Sequence, residues 1–188
     1  PTQAYLVGLI QNGTFPTKIT DPKTQVTSWR DYNRICTAWE LAREKAGDPV
    51  RFMAKGFNIS YAPSAALRKF LEDWAGQAWT AEERGRLRDF LGKRATLNIK
   101  HKPGRIRPIV TIGGISKPIT GITVLPPTRT PLFYAIGPGE LPDLKWVPWL
   151  YHEPLAKMMP VQDIILASPE WKAAHPPLAG AAAADDPF

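Results

Sequence analysis

The groups of this chain best suited to chemistry are its cations and aromatic rings. Lys93, Arg94, Lys100, Lys102, Arg105 and Arg107 fall within fifteen residues, and no Asp or Glu occurs between Phe90 and Gly139. Lysine and arginine offer only donors and positive charge. An acid-free run of them suits the phosphate backbone of a nucleic acid. Trp29, Arg30, Tyr32 and Arg34 interleave rings with cations. Single strands are held in this way, with bases stacked on rings for about 1–3 kcal/mol each while cations follow the backbone. Arg51, Lys55 and Phe57, with Asn58, extend the candidate set to a third segment, although Phe57 serves equally well as a core residue. For each cluster the alternative is a solvated basic face.

Other chemistries find little support. The chain has no Gly-rich phosphate loop ending in Lys-Ser or Lys-Thr and no Cys/His cluster at zinc spacing. His152-Glu153 runs into Pro154, which excludes a helical zinc motif there. His101, His152 and His175 are far apart and read as surface residues. Cys36 sits in a strand pattern as a small structural residue and has no second cysteine to pair with, in keeping with a reducing cytosol. The expectation is a protein that is not an enzyme, with no catalytic residue, metal or cofactor.

The last four residues, Asp185, Asp186, Pro187 and Phe188, follow an alanine-rich spacer. Two carboxylates and a terminal ring form a short peptide ligand for an apolar pocket rimmed by cations. Charge divides the chain in the same sense. Residues 1–118 hold 20 Lys and Arg against 10 Asp and Glu, and residues 119–188 hold 4 against 7. A basic body with an acidic appendage follows. Pro1 reads as a start from which the natural beginning has been removed. No apolar run approaches the roughly 20 residues of a spanning helix.

The periodicity predicts the elements that must position these groups. Ala4–Ile10 is a strand ended by an Asn12-Gly13 turn, and Thr14–Ser28 is a loop or loose hairpin. Tyr32–Leu41 is a strand with Ile35, Thr37, Trp39 and Leu41 facing inward and Tyr32, Arg34, Cys36 and Ala38 facing outward. Arg51–Tyr61 is a third strand, with Phe57, Ile59 and Tyr61 on one face. A helix capped by Ser64 follows, buried through Leu67, Phe70, Leu71 and Trp74 and stopped by Gly76. Thr80 and Glu83 form a capping box for a second, shorter helix ending at Gly92. Strands Ala95–His101 and Ile106–Ile112 flank a Pro103-Gly104 turn, and Arg94, Lys100 and Lys102 point away from the core. Five strands with helix between the third and fourth give a mainly β fold, a five-stranded OB-fold barrel. Residues 1–118 form this domain. Residues 119–172 form an extended Pro- and aromatic-rich arm packed on the barrel, and residues 173–188 form a flexible tail.

Two resemblances refine the reading. The C-terminal tip resembles that of bacterial single-stranded DNA-binding proteins, which ends in aspartates and Pro-Phe and docks replication, recombination and repair enzymes. The body resembles a family of phage and prophage OB-fold single-strand-binding proteins. The likeness rests on Ala38-Trp39-Glu40-Leu41, on Asn58–Trp74 with Leu67-Arg68-Lys69-Phe70-Leu71, and on Ala78-Trp79-Thr80 before Glu82-Glu83. Leu91-Gly92-Lys93 and Ser168-Pro169-Glu170-Trp171 complete it, over about residues 26–172. Arg94 stands where that family commonly has proline, and Glu140–Val161 is an insertion. The resemblance implies a protein that coats single-stranded DNA in the cytoplasm of a bacterial host and recruits replication or recombination enzymes through its tip. The competing reading is an OB-fold adaptor whose main ligand is another replication protein.

Overall fold

The computed structural model describes residues 1–21, 23–78, 86–103 and 109–176. The chain is mainly β. Its principal sheet is built from β1 (Thr2–Thr20), β2 (Thr27–Leu41), β3 (Phe52–Asn58), β4 (Arg94–Lys102) and β5 (Ile109–Ser116), in the antiparallel order β3-β2-β1-β4-β5. A short β6 (Leu132–Tyr134) pairs in parallel with Gly8–Ile10 of β1. Helix α1 (Ala66–Ala75) lies between β3 and β4 in the chain. A separate hairpin of β7 (Leu150–His152) and β8 (Lys157–Met159) is followed by two short helices, α2 (Val161–Ala167) and α3 (Pro169–Ala174).

The sheet is not closed into a barrel. Its path ends at β3 and β5, and the described residues form no backbone ladder between those strands. A side chain bridges the seam instead, as Lys55 Nζ donates to the Ile112 carbonyl at 2.8 Å.

The inward face behaves as the alternation predicts. Leu6, Leu9, Ile35, Trp39, Phe57, Leu97, Ile112 and Ile115 are buried with Leu67, Phe70, Leu71 and Trp74 of α1. Trp39 is fully buried, its indole N–H donates to Thr37 Oγ1 at 3.1 Å, and its ring meets Trp74 at 5.1 Å between centroids. Trp74 donates its own N–H to the Arg94 carbonyl at 3.1 Å. Gly76 closes α1, with its amide donating to the Glu72 carbonyl at 2.7 Å. Ser64 is not the cap. Ala65 holds that position without a side-chain hydrogen bond, one residue later than the sequence suggests. The expected helix beginning at Thr80 lies largely outside the described residues. What is described of it, Arg86–Phe90, is a 3₁₀ turn that buries Leu87.

The outward face differs from expectation. Cys36 and Ala38 are fully buried in a second core with Ile10, Phe15, Leu144, Val147, Leu150, Val161, Ile164 and Ile165. Residues beyond 130 cover that face, so both sides of the sheet are shielded from water over residues 6–10 of β1 and 35–40 of β2. Burial drives the Cys36 thiol well above its ordinary range, so it stays protonated. Glu40 is also buried, and its carboxylate accepts from the Thr128 amide and hydroxyl at 2.8 and 2.9 Å and from the Arg129 amide at 3.1 Å. These bonds tie the segment after β5 to the end of β2.

Asn12-Gly13 is not a turn. β1 continues to Thr20 and pairs with β2 out to Thr20↔Thr27, with a register shift between Gln11 and Gly13. Gly13 has φ +95°, and Ser168 packs so closely over it that a Cβ there would lie 2.2 Å from the Ser168 Cβ. The pair that reads as a hairpin turn is therefore a bulge inside one long strand. Of the two readings of Thr14–Ser28 the hairpin is the one found, since residues 14–20 and 27–28 are paired strand. Pro16 is tolerated because the pairings on the other side of β1 end at Ile10. The expected strand Ile106–Ile112 is described as Ile109–Ser116, and residues 106–108 lie outside the described set.

Trp39→Ala should lower the unfolding free energy by about 3–5 kcal/mol, the cost of emptying a large aromatic core site. Urea unfolding of the two proteins measures it, and a loss below about 1 kcal/mol would contradict the packing described.

Candidate nucleic-acid interface

A groove of about 610 Å³ opens at the seam between β3 and β5. Its basic side is built by three lysines from two strands. Lys55 comes from β3, and Lys100 and Lys102 from β4. The stem of Lys100 lies across Gly113, where a Cβ would come within 2.5 Å of Lys100 Cδ. The register shift between Asn98 and Ile99 adds Gly113 as an extra residue of β5, and that bare backbone lets the lysine lie flat.

Lys55 is the most constrained of the three. Besides its bond to Ile112, its ammonium sits 5.4 Å from the Phe57 ring centroid and 5.3 Å from that of Phe70. Burial, then the nearby charges of Lys102 and Lys100, hold its pKa below the usual lysine value. Among the described residues no acid lines the groove, so the three cations raise one another's potential.

Further lining comes from the second half of the chain. Trp149 is 59% exposed and Tyr151 54% exposed, and both line the groove with Met158. Ile109 and Val110 present further apolar surface from β5. Cations and open aromatic rings thus face the same space, the combination that a flexible polyanion with stacking bases requires.

Three of the residues expected from the sequence to bind nucleic acid, Lys55, Lys100 and Lys102, meet in this groove. Arg34 lines a second cavity that shares Gly56, Leu150 and Tyr151 with the groove. Arg34 is half-buried rather than outward, because the second core covers that face of β2. Trp29, Arg30 and Tyr32 lie on the far part of the β1–β2 hairpin, with Trp29 and Arg30 exposed and Tyr32 half-buried opposite Phe15. Arg51 is exposed just before β3. Lys93 and Arg94 sit at the other end of β4 from Lys102, about 26 Å away at the rise of a strand. Arg94 donates to the Ile122 carbonyl at 3.2 Å, and the Lys93 ammonium lies 5.4 Å from the Phe90 centroid. Phe57 is a core residue packed on Phe70 at 4.9 Å, which withdraws it as a base platform. Arg105, Arg107 and the tip Asp185–Phe188 lie outside the described residues.

Tyr151 is not singled out by the sequence, and Trp149 is expected there only as one of the rings that pack the arm on the barrel, whereas it is 59% exposed in the groove. The signal lay in Trp149-Leu150-Tyr151-His152, where exposed and buried residues alternate between Pro148 and Pro154. No protein-family model matches the chain, and no curated protein or solved structure matches it either.

Replacing Lys100 and Lys102 together with alanine should raise the pKa of Lys55, because two like charges that oppose its protonation are removed. Titration of the lysine side-chain signals by NMR checks the direction, and a fall would mean that burial, not charge, changes at the site.

Proposed function

We propose that this chain binds single-stranded DNA along the groove between β3, β5 and the β7–β8 hairpin. The observation that carries the reading is that Lys55, Lys100 and Lys102 line the same groove as the exposed Trp149 and Tyr151. The strand order supports it, since β3-β2-β1-β4-β5 with a helix between β3 and β4 is the order of an OB-fold, here left open at the seam. OB-folds bind oligonucleotides on the face that includes strands 2 and 3. In this reading the protein is a non-enzymatic coat for single strands, of the phage or prophage kind, acting in the cytoplasm of a bacterial host. Among the described residues, no helix is long and apolar enough to cross a membrane. The tip Asp185–Phe188 recruits a replication or recombination enzyme by inserting the Phe188 ring in an apolar pocket while its carboxylates meet basic residues.

The test is a titration of one labelled, unstructured oligonucleotide, single-stranded and as a duplex, at two salt concentrations. The single strand should bind more tightly and lose affinity steeply as salt rises. Trp149→Ala and Tyr151→Ala should each cost about 1–3 kcal/mol of affinity. Alanine at both Lys100 and Lys102 should reduce the slope of log K against log salt by about 1.4, at about 0.7 per phosphate contact on a single strand. Equal binding of duplex, or normal binding by both aromatic variants, would remove the groove as the DNA path.

Deleting residues 185–188 should leave thermal stability unchanged and single-strand affinity equal or slightly higher. Capture of the partner enzyme should be lost, and Phe188→Ala should nearly reproduce that loss. Pull-down of candidate replication enzymes, run beside the DNA titration, separates the two roles. Loss of DNA binding with partner capture intact would make the tip part of the DNA site.

A further inference from the structure

The cavity beside the groove is about 160 Å³ and is lined by Asn12, Phe15, Arg34 and His152, besides the three residues that it shares with the groove. Its polar atoms lack partners. Asn12 Oδ1, Arg34 Nε and both ring nitrogens of His152 are sealed from solvent without a hydrogen bond. Asn12 is only 3% exposed and His152 4%. A buried polar atom left unpaired is costly, and the three residues that carry these four atoms all line one cavity, which describes a site completed by a polar occupant.

The fold builds this cluster deliberately. The register shift between Gln11 and Gly13 inserts Asn12 into β1 as an extra residue, and Gly13 then pairs with Arg34 across the ladder. Bulges re-aim side chains in this way. The His152 ring stands edge-on to Phe15, with centroids 4.6 Å apart, which fixes its orientation.

Charge and hydrogen-bonding capacity select the occupant. Arg34 is the only permanently charged residue that lines the cavity among the described residues. Burial, then Arg34, then Lys157 hold His152 below its ordinary pKa, so its ring is neutral at pH 7. Burial also lowers the pKa of Arg34, and Glu153 partly opposes that. The field inside is positive and suits an anion. Arg34 Nε and one His152 nitrogen are donors, whereas Asn12 Oδ1 is an acceptor that needs a donor. A phosphate monoester near its second ionisation, at a pKa of about 6, satisfies both kinds of group. Its bare oxygens meet Arg34 and His152, and its P–OH meets Asn12. A phosphate diester has no P–OH to offer.

We propose that the Asn12–Arg34–His152 pocket is a subsite for a phosphate monoester and, resting on the reading of the groove as a single-strand path, that it receives the terminal phosphate of the bound strand. A strand lying in the groove reaches the pocket past the shared wall of Gly56, Leu150 and Tyr151. Its end, rather than its middle, is what a pocket selective for monoesters accepts.

The experiment uses the full chain and follows the His152 ring signals by NMR, assigned with His152→Asn. Methyl phosphate should shift those signals and raise the His152 titration midpoint, because anion and proton each favour binding of the other. Dimethyl phosphate should bind at least about 10-fold more weakly, because it has no P–OH and leaves Asn12 Oδ1 without a donor. Arg34→Gln should weaken methyl phosphate by about 10-fold or more. Asn12→Asp, which keeps the shape and adds a repelling charge, should do the same and serves where Arg34→Gln disturbs folding. One oligonucleotide is then compared with a 5′-phosphate, a 3′-phosphate and neither. One phosphorylated end should bind about 10-fold more tightly, and Arg34→Gln should erase that preference. A His152 signal unmoved by methyl phosphate, or moved equally by the diester, overturns the proposal whatever the oligonucleotides do. Methyl phosphate binding without any oligonucleotide binding keeps the monoester site and removes the single-strand reading. Oligonucleotide binding indifferent to the end phosphate overturns the terminal-phosphate assignment.

Discussion

β1 runs between two hydrophobic cores, and a regular strand can give each face only every second residue. This strand escapes that limit through two irregularities. The shift between Leu6 and Gly8 places Leu6 and Leu9, three residues apart, in the core with α1, and leaves Ile10 for the other. The shift between Gln11 and Gly13 sets the phase again, so that Phe15 reaches the second core. With β2, β4 and β6 all pairing to β1, these two points fix which side chains face which core across the whole sheet. Burying a large aliphatic or aromatic side chain is worth about 1.5–3 kcal/mol, so a slip of one residue in β1 would forfeit several such contributions together.

The second core has a further effect on the candidate site. Covering the outer face of β1 and β2 brings the β7–β8 hairpin to the open end of the sheet. The lysines of the groove come from the basic first part of the chain and its rings from the less charged last part. Neither part holds the combination alone. Glu40 and Glu170 secure the arrangement from inside. Glu40 binds the backbone at Thr128 and Arg129, and Glu170 accepts from the amide and hydroxyl of Thr14. Burial alone would raise the Glu170 pKa, but the two bonds from Thr14 outweigh it and hold the carboxyl below its ordinary value.

Much of the first core was legible because its residues alternate cleanly. Ile35, Trp39, Leu97 and the α1 stripe need no knowledge of distant partners. The second core was not legible, because on β2 it consists of Cys36 and Ala38, which alternate with Tyr32 and Arg34 on what resembles a solvent face. What covers them lies more than a hundred residues later, in a segment whose prolines break any long period. Asn12-Gly13 misleads for a related reason. The pair satisfies a left-handed backbone equally well in a turn or in a bulge, and only the pairing of Thr14–Thr20 with β2 distinguishes them. Lys100 and Lys102 could be found as outward positions on β4, whereas Lys55 shares the parity of the core residue Phe57 and alternation alone does not single it out. Trp149 and Tyr151 lie at a strand of three residues, too short for alternation to stand out. Ser168-Pro169-Glu170-Trp171 was noticed only as part of a likeness. It is a helix start with Ser168 Oγ accepting from the Trp171 amide at 3.1 Å and proline in the first turn.

The seam between β3 and β5 gives the molecule uneven stiffness. Across β2, β1 and β4 any separation must break a row of backbone bonds at once. Across the seam the described link is a lysine on a four-carbon stem, which can swing and stretch by rotating about its own bonds. The two edges can therefore part or close by small steps without loss of a ladder. The width of the groove is held by side-chain packing and one lysine bond rather than by a backbone ladder, while the strands on either side keep their register.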